Sequence, residues 1–309
     1  MARTKNRIKQ AAELIRQGRL VAFPTETVYG LGANALDPIA VERIFRAKGR
    51  PAGSPLIVHV ASKEQARELV TAWPEAAERL AHWFWPGPLT MVLPKSDRVP
   101  LIVTGGLPTV GVRMPSHPVA LELIREAGVP IAAPSANPFS SLSPTEPEHV
   151  RHSLDGAVDF ILDAGETEVG IESTVLSLAG PEPVLLRPGI ITKDDIEDVI
   201  GEIQMGGPVG DVHPSPGLHR RHYSPRTPLV LVRKGQLPAT GRGAYLWMRF
   251  PADAARTVVM PARPKDYAAK LYRVLHEVDR QGWDWIAVEA PPDDARWAGI
   301  LDRLRRASS

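Results

Sequence analysis

Apolar residues in the first two hundred positions recur at two spacings, which predict alternating helices and strands. Residues 7–18 have the period of an amphipathic helix, whereas 20–23 and 56–60 are short apolar runs typical of buried strands. Asp37 followed by Pro38 predicts the N-cap and first position of the next helix. The same signals predict helices at 62–70, 74–85, 118–127, 145–154 and 192–200, and strands at 89–93, 110–114, 129–133, 158–162, 174–178 and 184–187. This alternation favours an α/β fold, a twisted open sheet with helices packed on it, and the close spacing of the later strands predicts a mixed sheet.

A break in this pattern divides the chain after residue 205. Residues 206–226 have neither helical nor strand periodicity and include four prolines, which predicts a semi-rigid linker. Beyond it, strands are predicted at 228–233, 244–248, 257–260 and 285–289, and helices at 264–281 and 294–306. We therefore expect a larger domain over 1–205, a linker over 206–226 and a smaller α/β domain over 227–309.

The composition is that of a folded protein without disulfides. Of the 309 residues, 43% are hydrophobic and 23% are charged, which argues against disorder. Cysteine is absent, which excludes a disulfide framework, a thiolate zinc site and a cysteine nucleophile. The sequence has no run of about 18 apolar residues, and its basic opening lacks an apolar signal core. We therefore expect a cytoplasmic protein that makes no contact with a membrane.

Positive charge is concentrated in the last quarter of the chain. From Thr227 onward there are 14 Lys and Arg against 9 Asp and Glu, whereas the preceding residues contain 23 against 26. A basic domain can attract nucleic acid, but so small a surplus is more typical of a solvated helical face. Both interpretations remain open from charge alone.

Two polar clusters in the first domain carry candidate chemistry. The segment FPTETVYGLG, at 23–32, predicts a turn whose hydroxyls, such as that of Thr27, suit a small polar ligand. The segment KGRPAGSPLIVHV places Lys48 and Arg50 before a proline-bounded turn, where they could clamp phosphate oxygens. Lys48 is also explained as a cation that interacts favourably with the C-terminal end of a helix. The segment lacks the Gly-Lys-Ser/Thr ending of a P-loop. His59 ends an otherwise apolar strand and is more typical of a core residue than of a catalyst.

Two further clusters lie at strand ends. Arg113 lies inside an apolar strand, and because a buried arginine is costly unless paired, it should face a carboxylate from this chain or from a ligand. Ser135 and Asn137 directly follow another strand, at the edge where open α/β sheets bind ligands. Ordinary turn chemistry explains this second cluster equally well.

In order along the chain, these clusters resemble the motifs of the YrdC-like family. KGRP, PLIVHV and PSAN are similar to its Lys-x-Arg and Ser-x-Asn signature, and FPTETVYGLG, HWFWPGPLT, GVRMP and IESTVLSL match it in order and spacing. The resemblance covers about residues 8–200. The segment SPGLHRRHYSP at 215–225 is similar to the linker of the longer members, L-threonylcarbamoyladenylate synthases with a small Rossmann-like second domain. One departure is Ser54, where the family commonly has asparagine.

The resemblance implies an activity in which L-threonine, bicarbonate and ATP give L-threonylcarbamoyladenylate and pyrophosphate. A downstream tRNA threonylcarbamoyl transferase then uses the product to modify adenosine 37 of tRNAs that read ANN codons. Mg²⁺ is expected with the triphosphate, held by phosphate oxygens and water and not by a dedicated protein metal site. No general base is evident, and none is needed if positioning and electrostatics supply most of the rate.

The resemblance also implies roles for individual residues. Lys48 and Arg50 would be the catalytic pair that neutralises the phosphates, and Arg113 would hold the threonine carboxylate through two hydrogen bonds. The other implied threonine contacts are Thr27, His59, Ala133 and Ser173. The implied nucleotide contacts are Arg50, Ser54, Thr109, Ser135, Asn137, Ser143, Arg187 and Tyr223.

Two other functions are compatible with the residues. An RNA-binding protein would hold tRNA in a basic cleft, and a weak tRNA contact is also compatible with the synthase. A carbamoyl-transfer enzyme would use carbamoyl phosphate, although the sequence has no acylphosphatase-like or zinc-finger segment beside the domain. The linker has three interpretations: a plain spacer, a zinc site formed by His213, His219 and His222, or a lid that brings Tyr223 to the nucleotide.

Overall fold

The computed structural model describes residues 2–206 and 222–308. The helices in these ranges are α1 Ala2–Arg16, α2 Pro38–Lys48, α3 Lys63–Arg67, α4 Glu75–Phe84, α5 Leu101–Thr104, α6 Pro118–Ala127, α7 Pro147–Ser153, α8 Lys193–Ile200, α9 Pro264–Asp279 and α10 Ala298–Ala307, the last preceded by a 3₁₀ turn at Ala295–Trp297. The strands are β1 Val21–Pro24, β2 Tyr29–Asn34, β3 Ile57–His59, β4 Leu89–Pro94, β5 Thr109–Arg113, β6 Ile131–Ala132, β7 Phe160–Ile161, β8 Thr174–Ser177, β9 Val184–Arg187, β10 Gln204–Met205, β11 Leu229–Val232, β12 Gly243–Trp247, β13 Arg256–Val259 and β14 Trp285–Glu289. We call residues 2–206 the N-terminal unit and residues 222–308 the C-terminal unit. Neither described range contains a helix long and apolar enough to cross a membrane.

The strands of the N-terminal unit form one mixed sheet in the order β10-β9-β8-β4-β5-β3-β6-β2-β1-β7. Strands β3 and β5 run parallel, as do β4 and β8, whereas β4 is antiparallel to β5 and β3 is antiparallel to β6. His59 and Arg113, which end β3 and β5, are paired residues in this sheet. The mixed open sheet expected from the sequence is confirmed, and its topology places two candidate site residues side by side.

Apolar clusters cover both faces of this sheet. Val21 and Phe23 of β1 pack with side chains of α1 and α6, whereas the alternate residue Ala22 packs on the opposite face with Ile44 of α2. Both clusters consist of residues between 8 and 203, so the N-terminal unit has a hydrophobic core of its own.

The predicted start of α2 is confirmed, and the way the helix ends separates two candidate residues. The Asp37 carboxylate accepts hydrogen bonds from two backbone N–H groups of the first turn at 2.9 and 3.3 Å, with Pro38 at the first helical position. At the other end Gly49 adopts a left-handed conformation with φ +61°. The chain therefore turns between Lys48 and Arg50, which point to different surroundings.

The turn predicted after the first strand is confirmed at residues 25–28 and is wrong from residue 29 onward, where strand β2 begins. Strands β1 and β2 form an antiparallel hairpin, and the turn is limited to residues 25–28. The glycines of β2 are required by packing, since a Cβ at Gly32 would lie 2.7 Å from the ring of Phe23. The helix expected over 62–70 is also shorter in the structure, and α5 and β10 have no counterpart in the sequence prediction.

The C-terminal unit contains a parallel sheet in the order β11-β14-β12-β13, close to the predicted strand positions. At the carboxyl end of β14, the buried carboxylate of Glu289 accepts hydrogen bonds from the backbone N–H groups of Met248, Arg249 and Phe250, at 2.8, 2.9 and 3.1 Å. Successive backbone N–H groups of this kind form an anion-binding nest. The chain's own carboxylate fills this one.

The two units share one apolar cluster. Leu271 of α9 and Leu301 of α10 belong to the same buried cluster as Val28, Leu142 and Ile171 of the N-terminal unit. These three N-terminal residues come from segments next to candidate site residues, so the C-terminal unit packs directly behind the site.

Two histidines stack at this interface, with the ring centroids of His149 and His276 3.8 Å apart. Burial lowers the pKa of His149 to about 2 and that of His276 to about 4, and the positive charge of Arg280 acts in the same direction on both. Both rings are therefore neutral at neutral pH, although their pKa in an unfolded chain would be 6.5.

We expect the free energy of unfolding to fall as the pH decreases from about 6.5 to about 4, because in this range the unfolded chain binds protons on His149 and His276 that the folded chain does not. Urea denaturation at a series of pH values measures the slope. The His149→Phe protein, which keeps a ring in the stack without a titrating nitrogen, should show a shallower slope. An unchanged slope in that protein would assign the acid sensitivity to other groups.

Candidate active site

One cleft of about 520 Å³, open to solvent, collects polar side chains from distant parts of the sequence. It is formed by the β1–β2 turn, the ends of β3, β5 and β9, and the loops after β6 and before β8. Its wall includes nine of the residues predicted for the site: Thr27, Arg50, His59, Arg113, Ala133, Ser135, Ser173, Arg187 and Tyr223. Every residue that the sequence assigns to threonine is among them. Their location agrees with the prediction, and their roles remain predictions.

The Arg113 guanidinium is buried at the end of β5, and the expectation that it faces a carboxylate is confirmed. Its Nη2 lies 2.8 Å from Oε1 of the equally buried Glu26, as an ion pair without hydrogen-bond alignment. Its Nη1 donates to the hydroxyl of Thr27 at 3.0 Å, and its Nε donates to the carbonyl of Gly87 at 3.3 Å. Because a guanidinium has five N–H groups, Nη2 and the second N–H of Nη1 can still grip a ligand carboxylate.

His59 is both a core residue and a residue of the cleft wall. Its ring packs edge-on against Phe23 at 6.0 Å, yet its Nδ1 has no hydrogen-bond partner among the residues described. Burial, together with the neighbouring charge of Arg113, lowers the pKa of His59 to about 3. The imidazole is therefore neutral at neutral pH and presents an uncharged polar ring to the cleft.

Two further arginines of the cleft wall supply positive charge. The Arg50 guanidinium donates through Nη2 to the carbonyl of Pro55 at 3.1 Å and lies over the ring of Phe139, 5.7 Å from its centroid. Burial lowers the pKa of Arg50 to about 10, so it is still charged at neutral pH. Arg187, at the end of β9, donates through Nε and Nη2 to the carbonyl of Ser173 at 3.1 and 2.9 Å. Two buried cations on one wall form a strong anion-binding region.

Lys48 lies behind the cleft wall and not on it. Its Nζ donates to the carbonyl oxygen of Ser135 at 2.6 Å and to that of Asn137. Burial and the charge of Arg50 lower the pKa of Lys48 well below its usual value. In this structure Lys48 anchors the loop after β6, so its first effect is on the position of Ser135.

Four predicted nucleotide contacts also lie outside the cleft wall. The Asn137 amide donates to the carbonyls of Pro138 and Ser141, both at 2.9 Å, and shapes the loop. Ser54 belongs to the turn after Arg50, and Ser143 donates its hydroxyl to a carboxylate of the wall. Thr109 begins β5 and lies four residues, roughly 13 Å at the usual strand rise, from Arg113.

Tyr223 closes one side of the cleft. It is 1% exposed, adopts a left-handed backbone conformation with φ +60°, and its hydroxyl has no hydrogen-bond partner within the described ranges. A non-glycine residue in this conformation costs about 1–3 kcal/mol, so the surrounding packing must hold it there. Of the predicted linker, only residues 206 and 222–226 lie in the described ranges; His213 and His219, two members of the suggested zinc site, lie outside them.

Seven further residues of the cleft wall were not predicted from the sequence: Thr25, Val28, Gly30, Ile57, Pro134, Glu172 and His222. Glu172 is the most informative of them. It directly precedes Ser173 in the segment IESTVLSL, next to a predicted buried strand, and the argument applied to Arg113, that a buried charge needs a partner, would have identified it. Its carboxylate accepts hydrogen bonds from Ser143, Tyr272 and Arg303.

Three buried arginines, Arg113, Arg50 and Arg187, line this one cleft on a mixed α/β sheet, and such a cleft defines the site of an α/β enzyme that acts on anionic substrates. The model of the Sua5/YciO/YrdC family, described as telomere recombination, matches residues 13–189. A second model, described as the C-terminal domain of threonylcarbamoyl-AMP synthase, matches residues 191–309. The chain belongs to the Sua5/YciO/YrdC family.

Full-length relatives and a solved structure are similar over nearly the whole chain. The threonylcarbamoyl-AMP synthase of Pyrococcus abyssi is 46% identical over 319 residues, covering 98% of this chain and 94% of the relative. That of Bacillus subtilis is 45% identical and covers 97% and 92%. The crystal structure of P. abyssi Sua5 complexed with L-threonine has a TM-score of 0.93 at 45% identity, covering 98% of this chain and 94% of that one.

Proposed function

We propose that this chain synthesises L-threonylcarbamoyladenylate from L-threonine, bicarbonate and ATP, with release of pyrophosphate. The observation that carries the proposal is the positive charge of a single cleft, whose wall contains Arg113 together with Arg50 and Arg187. An amino acid carboxylate and a triphosphate can then bind with their reacting groups between them. The names of the full-length relatives support the same activity.

The threonine side of the cleft can hold an amino acid by its carboxylate. The N–H groups of Arg113 that make no hydrogen bond can donate to the two carboxylate oxygens, while the ion pair of Nη2 with Glu26 and the hydrogen bond of Nη1 to Thr27 fix the orientation of the guanidinium. Neutral His59 adds no charge that would repel the amine. The amine then remains near the middle of the cleft, where its nitrogen can bond to the carbon of bicarbonate and give the carbamate with loss of water.

The nucleotide side favours attack at the α-phosphorus. A carbamate oxygen forms the new bond to the α-phosphorus while the bond from that phosphorus to the bridging oxygen of pyrophosphate breaks, and pyrophosphate carries the electron pair away. Arg50 and Arg187 stabilise the charge that develops on the phosphate oxygens. Tyr223 excludes water from this side, which protects a mixed anhydride that water would hydrolyse. Positioning and electrostatics account for the rate without a general base.

Mg²⁺ is expected to enter as its complex with ATP. Among the described residues, no group of three or more His, Asp or Glu side chains is arranged to hold a metal ion. Glu172 is the carboxylate of the cleft wall, and both of its oxygens already accept hydrogen bonds. These residues do not form a protein metal site, so phosphate oxygens and water would supply the ligands. The product would pass to a tRNA threonylcarbamoyl transferase, and a weak direct contact with tRNA fits the basic C-terminal residues.

A pyrophosphate-release assay tests this function. We expect release only when threonine, bicarbonate and ATP are all present, with the adenylate appearing in equal amount. Release without threonine would contradict the proposal. If the chain instead bound tRNA without ATP, with an affinity that falls steeply with salt, the RNA-binding alternative would replace it.

We expect the Arg113→Lys protein to bind threonine markedly more weakly, because an ammonium group cannot reproduce a two-pronged contact with a carboxylate. Calorimetry with threonine measures the change, and Arg125→Lys, at an exposed arginine of α6, is the matched control. Serine should bind wild type only modestly less tightly than threonine, by about 1–3 kcal/mol for one methyl group. Unchanged threonine affinity in the Arg113→Lys protein would show that Arg113 does not bind the threonine carboxylate.

A further inference from the structure

The C-terminal unit reaches the cleft through one buried carboxylate, that of Glu172. Tyr272 of α9 donates its hydroxyl to Oε2 of Glu172 at 3.2 Å, and Arg303 of α10 donates its Nε to the same oxygen at 2.8 Å. Arg303 also donates through Nη2 to the backbone carbonyl of Glu172 at 3.1 Å. The remaining oxygen of Glu172 accepts the hydroxyl of Ser143. Glu172 is a residue of the cleft wall, and two of its three side-chain hydrogen-bond partners thus come from the C-terminal unit.

Arg303 is held where it touches several site segments at once. It is 1% exposed, and its Nη1 donates to the carbonyl of Pro188, directly after Arg187, at 2.7 Å. Its guanidinium lies 5.4 Å from the ring centroid of Tyr223. Helix α10 packs so closely that a Cβ at Gly299 would lie 2.7 Å from the carbonyl oxygen of Gly189. The position of α10 and that of the β9 turn are therefore coupled through backbone contact.

Charge explains why this contact matters for the nucleotide side. Burial alone would raise the pKa of Glu172, but the charges of Arg303 and then Arg187 hold it below its usual range, so the carboxylate is ionised. A buried carboxylate needs a positive partner. With Arg303 present, that partner comes from the C-terminal unit. Without it, Arg187 would be the other cation whose charge acts on Glu172, and the carboxylate would compete with a phosphate for that arginine.

We propose that Arg303, assisted by Tyr272, is a positioning residue for ATP. By sharing the charge of Glu172 it leaves the positive charge of Arg187 available to the phosphates, and it fixes Tyr223 from behind. This inference deepens the proposed function, on which it rests for the identity of the nucleotide. It also assigns a task to the C-terminal unit, which completes the phosphate side of a cleft whose threonine side belongs to the N-terminal unit.

Binding measurements on the full chain test the proposal independently of turnover. Calorimetry with an imido-bridged, non-hydrolysable ATP analogue should show a loss of about tenfold or more in affinity for Arg303→Gln, with threonine affinity within about twofold of wild type. Tyr272→Phe, which removes one hydroxyl without changing the ring, should weaken analogue binding less and in the same direction. The control is Arg296→Gln, an exposed residue whose ion pair with Asp294 is far less buried.

The decisive variant is the double substitution Glu172→Gln with Arg303→Gln. The amide that replaces the carboxylate of Glu172 carries no charge, so it cannot compete with the phosphates for Arg187. The double variant should therefore bind the analogue more tightly than Arg303→Gln alone. A residue that only supported the fold would not be rescued by removing the carboxylate. No rescue, equal loss of threonine and analogue affinity, or unchanged analogue affinity would each overturn the proposal. If Arg303→Gln did not fold, Tyr272→Phe with and without Glu172→Gln gives the same comparison. Analogue binding by a wild-type chain that releases no pyrophosphate would reject the proposed function while leaving this test intact.

Discussion

We expect the Arg50→Ala protein to lose on the order of 2–4 kcal/mol of transition-state stabilisation, measured as kcat/KM for ATP. Arg50 is buried in the cleft wall, remains charged at neutral pH, and is held in place by Pro55 and Phe139. A buried charge that stabilises phosphate oxygens acts in a medium of low polarity, so its loss is not compensated by water. Threonine affinity should change little, because Arg113, and not Arg50, is the proposed partner of the threonine carboxylate.

Arg46→Ala is the matched control for this experiment. Arg46 lies on the same helix, α2, but its side chain is 74% exposed and pairs with Glu42 at the surface. It should keep the wild-type rate. Lys48→Ala should also lose most of its turnover, in its case through the released loop after β6. Near wild-type rates in a folded Arg50→Ala protein would remove the phosphate-binding role from this arginine. Near wild-type rates in a folded Lys48→Ala protein would show that turnover does not depend on the anchoring of the loop after β6 by Lys48.

A chain that ends at residue 206 should still fold and bind threonine, but should make or retain threonylcarbamoyladenylate poorly. The two apolar clusters of the N-terminal unit lie entirely within it, which supports independent folding. The truncation removes Tyr223 from the cleft and takes Arg303 away from Glu172, so the nucleotide side loses both its cover and its charge balance. Circular dichroism, threonine calorimetry and pyrophosphate release measure the three parts of this prediction.

Adding the C-terminal unit back as a separate chain distinguishes two explanations of the loss. Partial recovery of activity would show that the unit acts through its contacts with the site, and not only through the covalent connection. Full activity of the truncated chain would contradict the prediction and would show that activity requires neither the linker nor the C-terminal unit.

Local patterns were enough to predict most elements, because periodicity and capping are properties of neighbouring residues. Helix α2 is an example, since Asp37 and Pro38 determine its start. Strand β2 was missed because YGLGAN contains two glycines, which are typical of turns, and the close packing of Gly32 against Phe23 is visible only in the structure. In β2, tertiary contacts override local propensity.

The candidate site was predictable in its residues and less so in its arrangement. The expectation that Arg113 needs a carboxylate followed from the cost of burying a charge, but its partner Glu26 could not be identified from spacing. The separation of Lys48 from Arg50 depends on the conformation of one glycine between them. Contacts of Glu172 with Tyr272 and Arg303, 100 and 131 residues away, follow only from the way the two units pack.

The position of the Glu289 carboxylate has a consequence for the number of nucleotides that one chain binds. A parallel sheet usually binds a nucleotide at the carboxyl ends of its strands, where backbone N–H groups receive the phosphate. In the C-terminal unit those N–H groups already hold Glu289, whose negative charge would repel an incoming phosphate. The usual ligand position of such a sheet is thus occupied by a side chain of the same unit. Saturation with nucleotide should therefore require one molecule per chain, although two parts of the chain have folds of the kind that bind one.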